Sequence, residues 1–194
     1  EQQQAVFLTR STALGLDPAN GTVLWKLPFG KRGPTVNAAN PLVLKDHLFL
    51  TASYGIGAVY AQLAAQEPKV AWASDDVLSS QYTTPIYKDG YLYGIDGRED
   101  IGVASLRCID LAQGKVAWTQ EEIGKGSLIL AGDKLLVQTT AGELLAVSAS
   151  SQAFNLLGKA SVCGQRAYAL PALAQGLYYV RDTDKLRCFD LRGK

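Results

Sequence analysis

Residues 15–25 read GLDPANGTVLW, and residues 108–118 read CIDLAQGKVAW. Both follow one frame: a small residue, then an aspartate, a glycine four positions on, and a tryptophan four positions after that. The framework residues are Asp17, Gly21 and Trp25 in one copy and Asp110, Gly114 and Trp118 in the other. Each has a physical task. An aspartate side chain accepts backbone amides of a turn, and glycine takes the left-handed turn position without steric cost. The strand that follows then delivers an indole to a seam. There the ring buries on the order of 200 Å² while its N–H keeps one hydrogen bond.

Weaker copies elsewhere in the chain keep the same frame. Val70-Ala71-Trp72 repeats the ending Val116-Ala117-Trp118, with Glu67-Pro68 in place of the turn. The stretch from Ala146 to Leu156 keeps the spacing but has no Asp, Gly or Trp in the frame positions, and Cys188-Phe189-Asp190 opens a further copy. The steps from Trp25 to Trp72, Trp118 and Leu156 are 47, 46 and 38 residues. Between them lie short apolar segments such as His47 to Thr51, Tyr91 to Ile95, Leu135 to Gln138 and Leu177 to Val180. They are separated by reversals at Asn20-Gly21, Asp89-Gly90, Gly132-Asp133 and Gln175-Gly176. Gly and Asn reach positive φ cheaply, so these are hairpin turns. An all-β chain with a period of about 40–47 residues and four strands per unit is a β-propeller of four-stranded antiparallel blades. Five units emerge, at 5–29, 40–75, 83–120, 127–161 and 168–194. The first begins at its second strand and the last stops after its third, so an incomplete ring is expected. The uncovered end blades call for missing N-terminal blades or self-association, because a blade cannot cover both of its own faces.

Composition narrows the function. Nineteen basic and 18 acidic side chains leave a formal charge of +1, so no global field favours a nucleic acid. No apolar run approaches the roughly 20 residues of a membrane-spanning helix, so no transmembrane segment is expected. The chain has no methionine, which points to a mature product or a piece of a longer chain. The cysteines, Cys108, Cys163 and Cys188, form no CxxC pair, and His47 is the only histidine. No catalytic residue, cofactor site or metal site is therefore expected. Cys108 and Cys188 fall in the small-residue slot of the frame and are expected to be packing residues. Cys163 falls in a loop and is expected to be the reactive thiol. His47 beside Asp46 reads as a surface turn.

The Asp-x-x-x-Gly-x-x-x-Trp frame at 17–25 and 110–118 resembles the tryptophan docking motif of the pyrroloquinoline-quinone-like (PQQ-like) β-propeller repeat proteins. GYLYGID at 90–96, LRCID at 106–110, GKGS at 124–127, Val180-Arg181-Asp182 and CFDL at 188–191 resemble the C-terminal half of exported bacterial members. That resemblance implies a seven- or eight-bladed parent and a periplasmic or extracellular location. Members include quinoprotein dehydrogenases, which bind pyrroloquinoline quinone and calcium at the propeller centre, and outer-membrane assembly lipoproteins, which hold a partner. The dehydrogenases carry adjacent cysteines and a tryptophan platform. Here no two cysteines are adjacent, and Trp25, Trp72 and Trp118 all sit in the docking frame. The expectation is a non-enzymatic scaffold presenting loops to a protein or saccharide. The alternative is a quinone-dependent dehydrogenase whose PQQ and calcium site lies mostly in an N-terminal half outside this sequence.

Propeller winding places the loops entering each innermost strand together with those joining strands two and three. Lys31, Arg32, Tyr54, Tyr82, Arg98, Lys125, Arg166 and Tyr168 fall on those loops and are expected to form a basic and aromatic binding rim. Asp96, Glu99 and Asp100 are weak calcium candidates, since they lack the alternating oxygen spacing of a calcium loop. Asp75-Asp76 and Asp182 with Asp184 are weaker still.

Overall fold

The computed structural model describes residues 3–33, 35–64, 67–98, 100–102 and 104–192. Five antiparallel sheets follow one another along the chain. The first holds β1 (Ala5–Leu8), β2 (Thr12–Leu16) and β3 (Val23–Pro28). The second holds β4 (Leu42–Leu44), β5 (His47–Ala52), β6 (Gly57–Gln62) and β7 (Lys69–Ser74). The third holds β8 (Ile86–Lys88), β9 (Tyr91–Gly97), β10 (Ala104–Asp110) and β11 (Lys115–Gln120). The fourth holds β12 (Gly126–Ala131), β13 (Lys134–Thr139), β14 (Glu143–Ser148) and β15 (Leu156–Ser161). The fifth holds β16 (Ala172–Ala174), β17 (Leu177–Arg181) and β18 (Leu186–Asp190). Every strand pairs with its sequence neighbour, and no helix occurs among the described residues. The protein is all-β, and its sheets are propeller blades of three, four, four, four and three strands.

Two compact units divide the chain, Glu1–Thr84 with Leu111–Lys115, and Pro85–Asp110 with Val116–Lys194. In the first, β3 buries Trp25 and Leu27 on one face, the period-two pattern of a strand covered on one side. They pack with Leu48, Leu50 and Ala52 of β5 and Ala61 of β6, so the outer strand of one sheet closes on the inner strands of the next. In the second unit, Tyr93, Ile95, Leu106 and Cys108 of the third sheet meet Leu135, Val137, Leu145 and Val147 of the fourth. The other face of the fourth sheet offers Leu136 and Leu144 to Tyr178 and Val180 of the fifth. Strand β13 is thus covered on both faces. This explains why Leu135-Leu136-Val137 reads as an unbroken apolar run.

The small-residue slot has a steric cause. Gly15 pairs with Trp25 across β2 and β3, and a methyl on Gly15 would overlap the indole. A bulge follows at this point in three sheets, between Gly15 and Leu16, Tyr60 and Ala61, and Ala146 and Val147. Its register corrects one reading of the sequence. Trp25 pairs with Gly15 and Trp72 with Tyr60, but Ala146 pairs with Gly158, not with Leu156. The turn between β14 and β15 is longer than the frame assumes. The docking position of the fourth sheet is therefore Gly158, and nothing lies within 4 Å of the point its Cβ would occupy.

Candidate functional site

The framework residues hold turns and seams. Asp17 Oδ1 accepts the Ala19 amide at 2.8 Å, and its carbonyl accepts the Gly21 amide at 2.8 Å, with Gly21 at φ 75°. Trp72 Nε1 donates to the Leu111 carbonyl at 2.8 Å. Its ring covers Gly114, where a Cβ would stand 2.7 Å from the indole at φ 62°. Trp118 Nε1 donates to the Ser150 carbonyl at 2.9 Å, between Tyr93 and Phe154. Trp25 is 3% exposed and donates to Gln4 Oε1 at 2.6 Å. Trp72 and Trp118 are only half-buried, a departure from the equal burial the repeat suggests. Asp110 ends β10, directly ahead of that turn.

The rim residues fall into separate groups. In the first unit, Lys31 Nζ lies 3.4 Å from the point a Cβ on Gly55 would occupy, beside Tyr54. The Tyr54 hydroxyl accepts from Gln81 Nε2 at 2.8 Å, which brings the Tyr82 segment to the same place. Asn37 clamps the preceding loop by donating to the carbonyls of Thr9 and Arg10 at 3.0 and 2.9 Å. Arg32 is exposed in that loop. In the second unit, Lys125 accepts the Thr140 amide at 2.8 Å through its carbonyl, and the Thr140 carbonyl accepts the Ala167 amide at 3.2 Å. Those two bonds tie Lys125 to the Arg166–Tyr168 segment, where Tyr168 is 60% exposed. Arg98 is not an open cation: it grips Asp100. That hydrogen bond holds the Asp100 carboxyl below its ordinary value, with a further pull from Lys125.

Of the polar side chains buried beneath these loops, only Asp182 was named from the sequence, as a weak calcium candidate with Asp184. Thr51 Oγ1 donates to the Leu78 carbonyl at 2.9 Å and accepts the Ser80 amide at 3.1 Å. Ser53 Oγ donates to the Ser79 carbonyl at 2.8 Å. In the second unit, Tyr178 OH donates to Gln138 Oε1 at 2.8 Å with both residues buried. Asp182 accepts the amides of Gly164, Asp184 and Lys185 at 2.8, 2.9 and 2.8 Å and pairs with Arg187. The Gly164 amide, the guanidinium and the other two amides hold this carboxyl well below the usual carboxylate range. The only sequence signal was a turn-forming Asp-x-Asp, which resembles many solvated loops.

The indoles and the carboxylates that the sequence offered for a quinone or calcium are engaged elsewhere wherever they are described. All three indoles are engaged in the contacts above. Asp96 pairs with Arg107 at 3.1 Å and Asp100 with Arg98, so both calcium candidates are neutralised by arginine, while Glu99 lies outside the described residues. Among the described residues, no three His, Cys, Asp or Glu side chains converge as metal ligands. His47 opens β5, with Nδ1 2.8 Å from Asp46 Oδ1 and its ring stacked on Tyr60 at 4.8 Å.

The cysteines need a correction. Cys163 is half-buried, and burial raises its thiol above the ordinary value, which disfavours the reactive thiolate. Cys188 is the exposed thiol, because β18 is the outer strand of its sheet. Cys108 is buried, and desolvation pushes it up to about 11.

A family model described as outer membrane protein assembly factor BamB matches residues 1–120 and again 104–192. No functionally curated protein matches the sequence. Among solved structures, BamB from Moraxella catarrhalis superposes with a TM-score of 0.69 at 19% identity, covering 98% of this chain and 59% of that one. The chain thus spans well under two thirds of that relative's length. The computationally designed Ika8 protein gives 0.68 at 11% identity over 98% of this chain and 56% of its own. A chain of the mitotic checkpoint complex gives 0.69 at 12% identity, covering 98% and 61%. At these identities the likeness is one of fold.

Proposed function

The chain belongs to the outer membrane protein assembly factor BamB family, and from that premise we propose that it is a non-enzymatic scaffold module of an exported bacterial protein. It works in the periplasm, where its loop rim holds a protein partner. The observation that carries this reading is backbone conformation. Tyr54, in the loop group of the first unit, and Arg166, in that of the second, each stand at φ 65°. A bulky residue held left-handed costs on the order of 1–3 kcal/mol and persists only where its surroundings enforce it. Here the Gln81 bond to Tyr54 and the Thr140 bond to Ala167 supply that enforcement. A preformed loop loses little conformational entropy on binding, and Tyr and Arg are the residue types that dominate protein interfaces. No helix among the described residues is long and apolar enough to cross a membrane.

Calorimetric titration against purified outer-membrane assembly subunits, with an unrelated folded protein as control, tests the proposal. Arg166→Glu and Tyr168→Ala should each weaken binding about tenfold or more, as loss of an interface anchor does, with thermal stability unchanged. Binding indifferent to both changes would remove the rim from the proposal. Turnover of an alcohol or sugar dependent on added quinone and calcium would overturn it.

A further inference from the structure

In the second unit, the β8–β9 and β12–β13 hairpins and the β14–β15 turn lie at the strand ends opposite the rim, as antiparallel order requires. Between them is a cavity of about 340 Å³ lined by Lys88, Asp89, Tyr91, Asp133, Ser148 and Ser151, among others. That volume suits a small ligand, since such pockets run from roughly 300 to 1,000 Å³.

Its polar groups are held in place. Lys88 is the last residue of β8, and its Nζ reaches Asp89 Oδ2 at 2.9 Å and Asp133 Oδ1 at 2.8 Å. The lysine side chain is 20% exposed, so the ammonium is fixed across two hairpins. Each carboxylate spends one oxygen on it. Oδ1 of Asp89 and Oδ2 of Asp133 lie outside that bridge, on side chains that are 83% and 89% exposed. Behind them, the Trp118 indole pins the Ser150 carbonyl and so fixes the serine-rich wall.

The lining selects a ligand class. One lysine against two aspartates leaves the lining at a formal charge of −1, which disfavours an anion, while the Lys88 ammonium already seated between the two carboxylates repels a second cation. The lining residues carry both acceptors (the aspartate carboxylates) and donors (the serine and Tyr91 hydroxyls), and Tyr91 brings an aromatic ring. A neutral polyhydroxylated ring uses all three, because each hydroxyl both donates and accepts. We propose that this cavity binds a neutral sugar unit, at a site separate from the protein-binding rim.

Titrating the full chain with N-acetylglucosamine and with maltose, read by amide chemical shifts, tests this. Saturable shifts should centre on Lys88–Tyr91, Asp133 and Ser148–Ser151 for at least one sugar. Asp89→Asn should weaken the response about tenfold, the scale of losing a charge-assisted hydrogen bond. The Asp89 side chain is 83% exposed and its φ is 49°, which asparagine tolerates, so folding should be untouched. Tyr91→Ala should weaken it independently. Silence with both sugars, shifts confined to the rim, or a tetralysine peptide moving these amides where the sugars do not would each overturn the proposal. Arg166→Glu, which tests the rim, should leave sugar shifts unchanged, so the two readings fail separately.

Discussion

The second unit contains two seams built from the same blade architecture. Between the third and fourth sheets, Trp118 reaches over to the Ser150 carbonyl, and Lys88 bridges to Asp133. Between the fourth and fifth sheets the docking position is Gly158, and every residue of β15 is exposed. That seam is closed from the inner end instead. Tyr178 donates to buried Gln138, Leu136 and Leu144 pack on Val180, and Asp182 draws the Gly164 loop onto β18 through Arg187. One seam is closed by a large ring at its outer edge, the other by satisfied polar groups near its inner edge. Blade packing needs buried area and paired polar atoms; it does not prescribe which strand provides them.

Breaking the outer lock should have the largest effect. Trp118→Ala is expected to lower unfolding free energy by about 3 kcal/mol, the lower end for large aromatic truncation because the indole is half-buried. Urea denaturation measures it. A loss under 1 kcal/mol would mean that Lys88 and the apolar core hold that seam unaided. At the second seam, Tyr178→Phe should cost about 1–2 kcal/mol, since it leaves Gln138 Oε1 buried without a donor. An unchanged midpoint would show that Gln138 finds another partner. The third test is pH-gated. The native Asp182 carboxyl titrates below its unfolded value. Its contribution is therefore fully present above the ordinary aspartate value of about 3.9 and fades as pH falls toward the depressed native value. Melting temperatures of the native chain and Asp182→Asn should differ at pH 7 and converge in acid. A gap that persists in acid would assign the effect to packing. Smallest of all, Gly158→Val should stabilise the edge strand by about 0.5 kcal/mol, because open space surrounds that position and glycine is a poor strand residue. Destabilisation there would imply that the gap left by the missing indole has a use.

The first seam was legible in the sequence and the second was not, for a physical reason. Trp118, Gly114 and Asp110 recur at fixed spacing because a turn and a ring impose one geometry each time. Gln138, Tyr178 and Asp182 come from three different strands or loops, and no local spacing relates them. Leu156 shows the limit directly. Counting from Ala146 reached it, but the bulge and the longer turn placed Gly158 in the dock. Similarly, Arg98 read as an open rim cation until its loop folded it onto Asp100.

Apolar alternation, hairpin dipeptides and a recurring docking frame were enough to determine an all-β chain of propeller blades, since strand and turn chemistry act over a few neighbouring residues. The family is carried by those same motifs. Which charges remain open, which thiol is exposed and where a cavity forms follow from the stacking of the sheets. Lys88 and Asp133 belong to different sheets, as do Asp182 and Gly164, and sidedness arises only when the sheets stack. Electrostatics and burial depend on distances between chain segments far apart in sequence, and those distances exist only in the folded molecule.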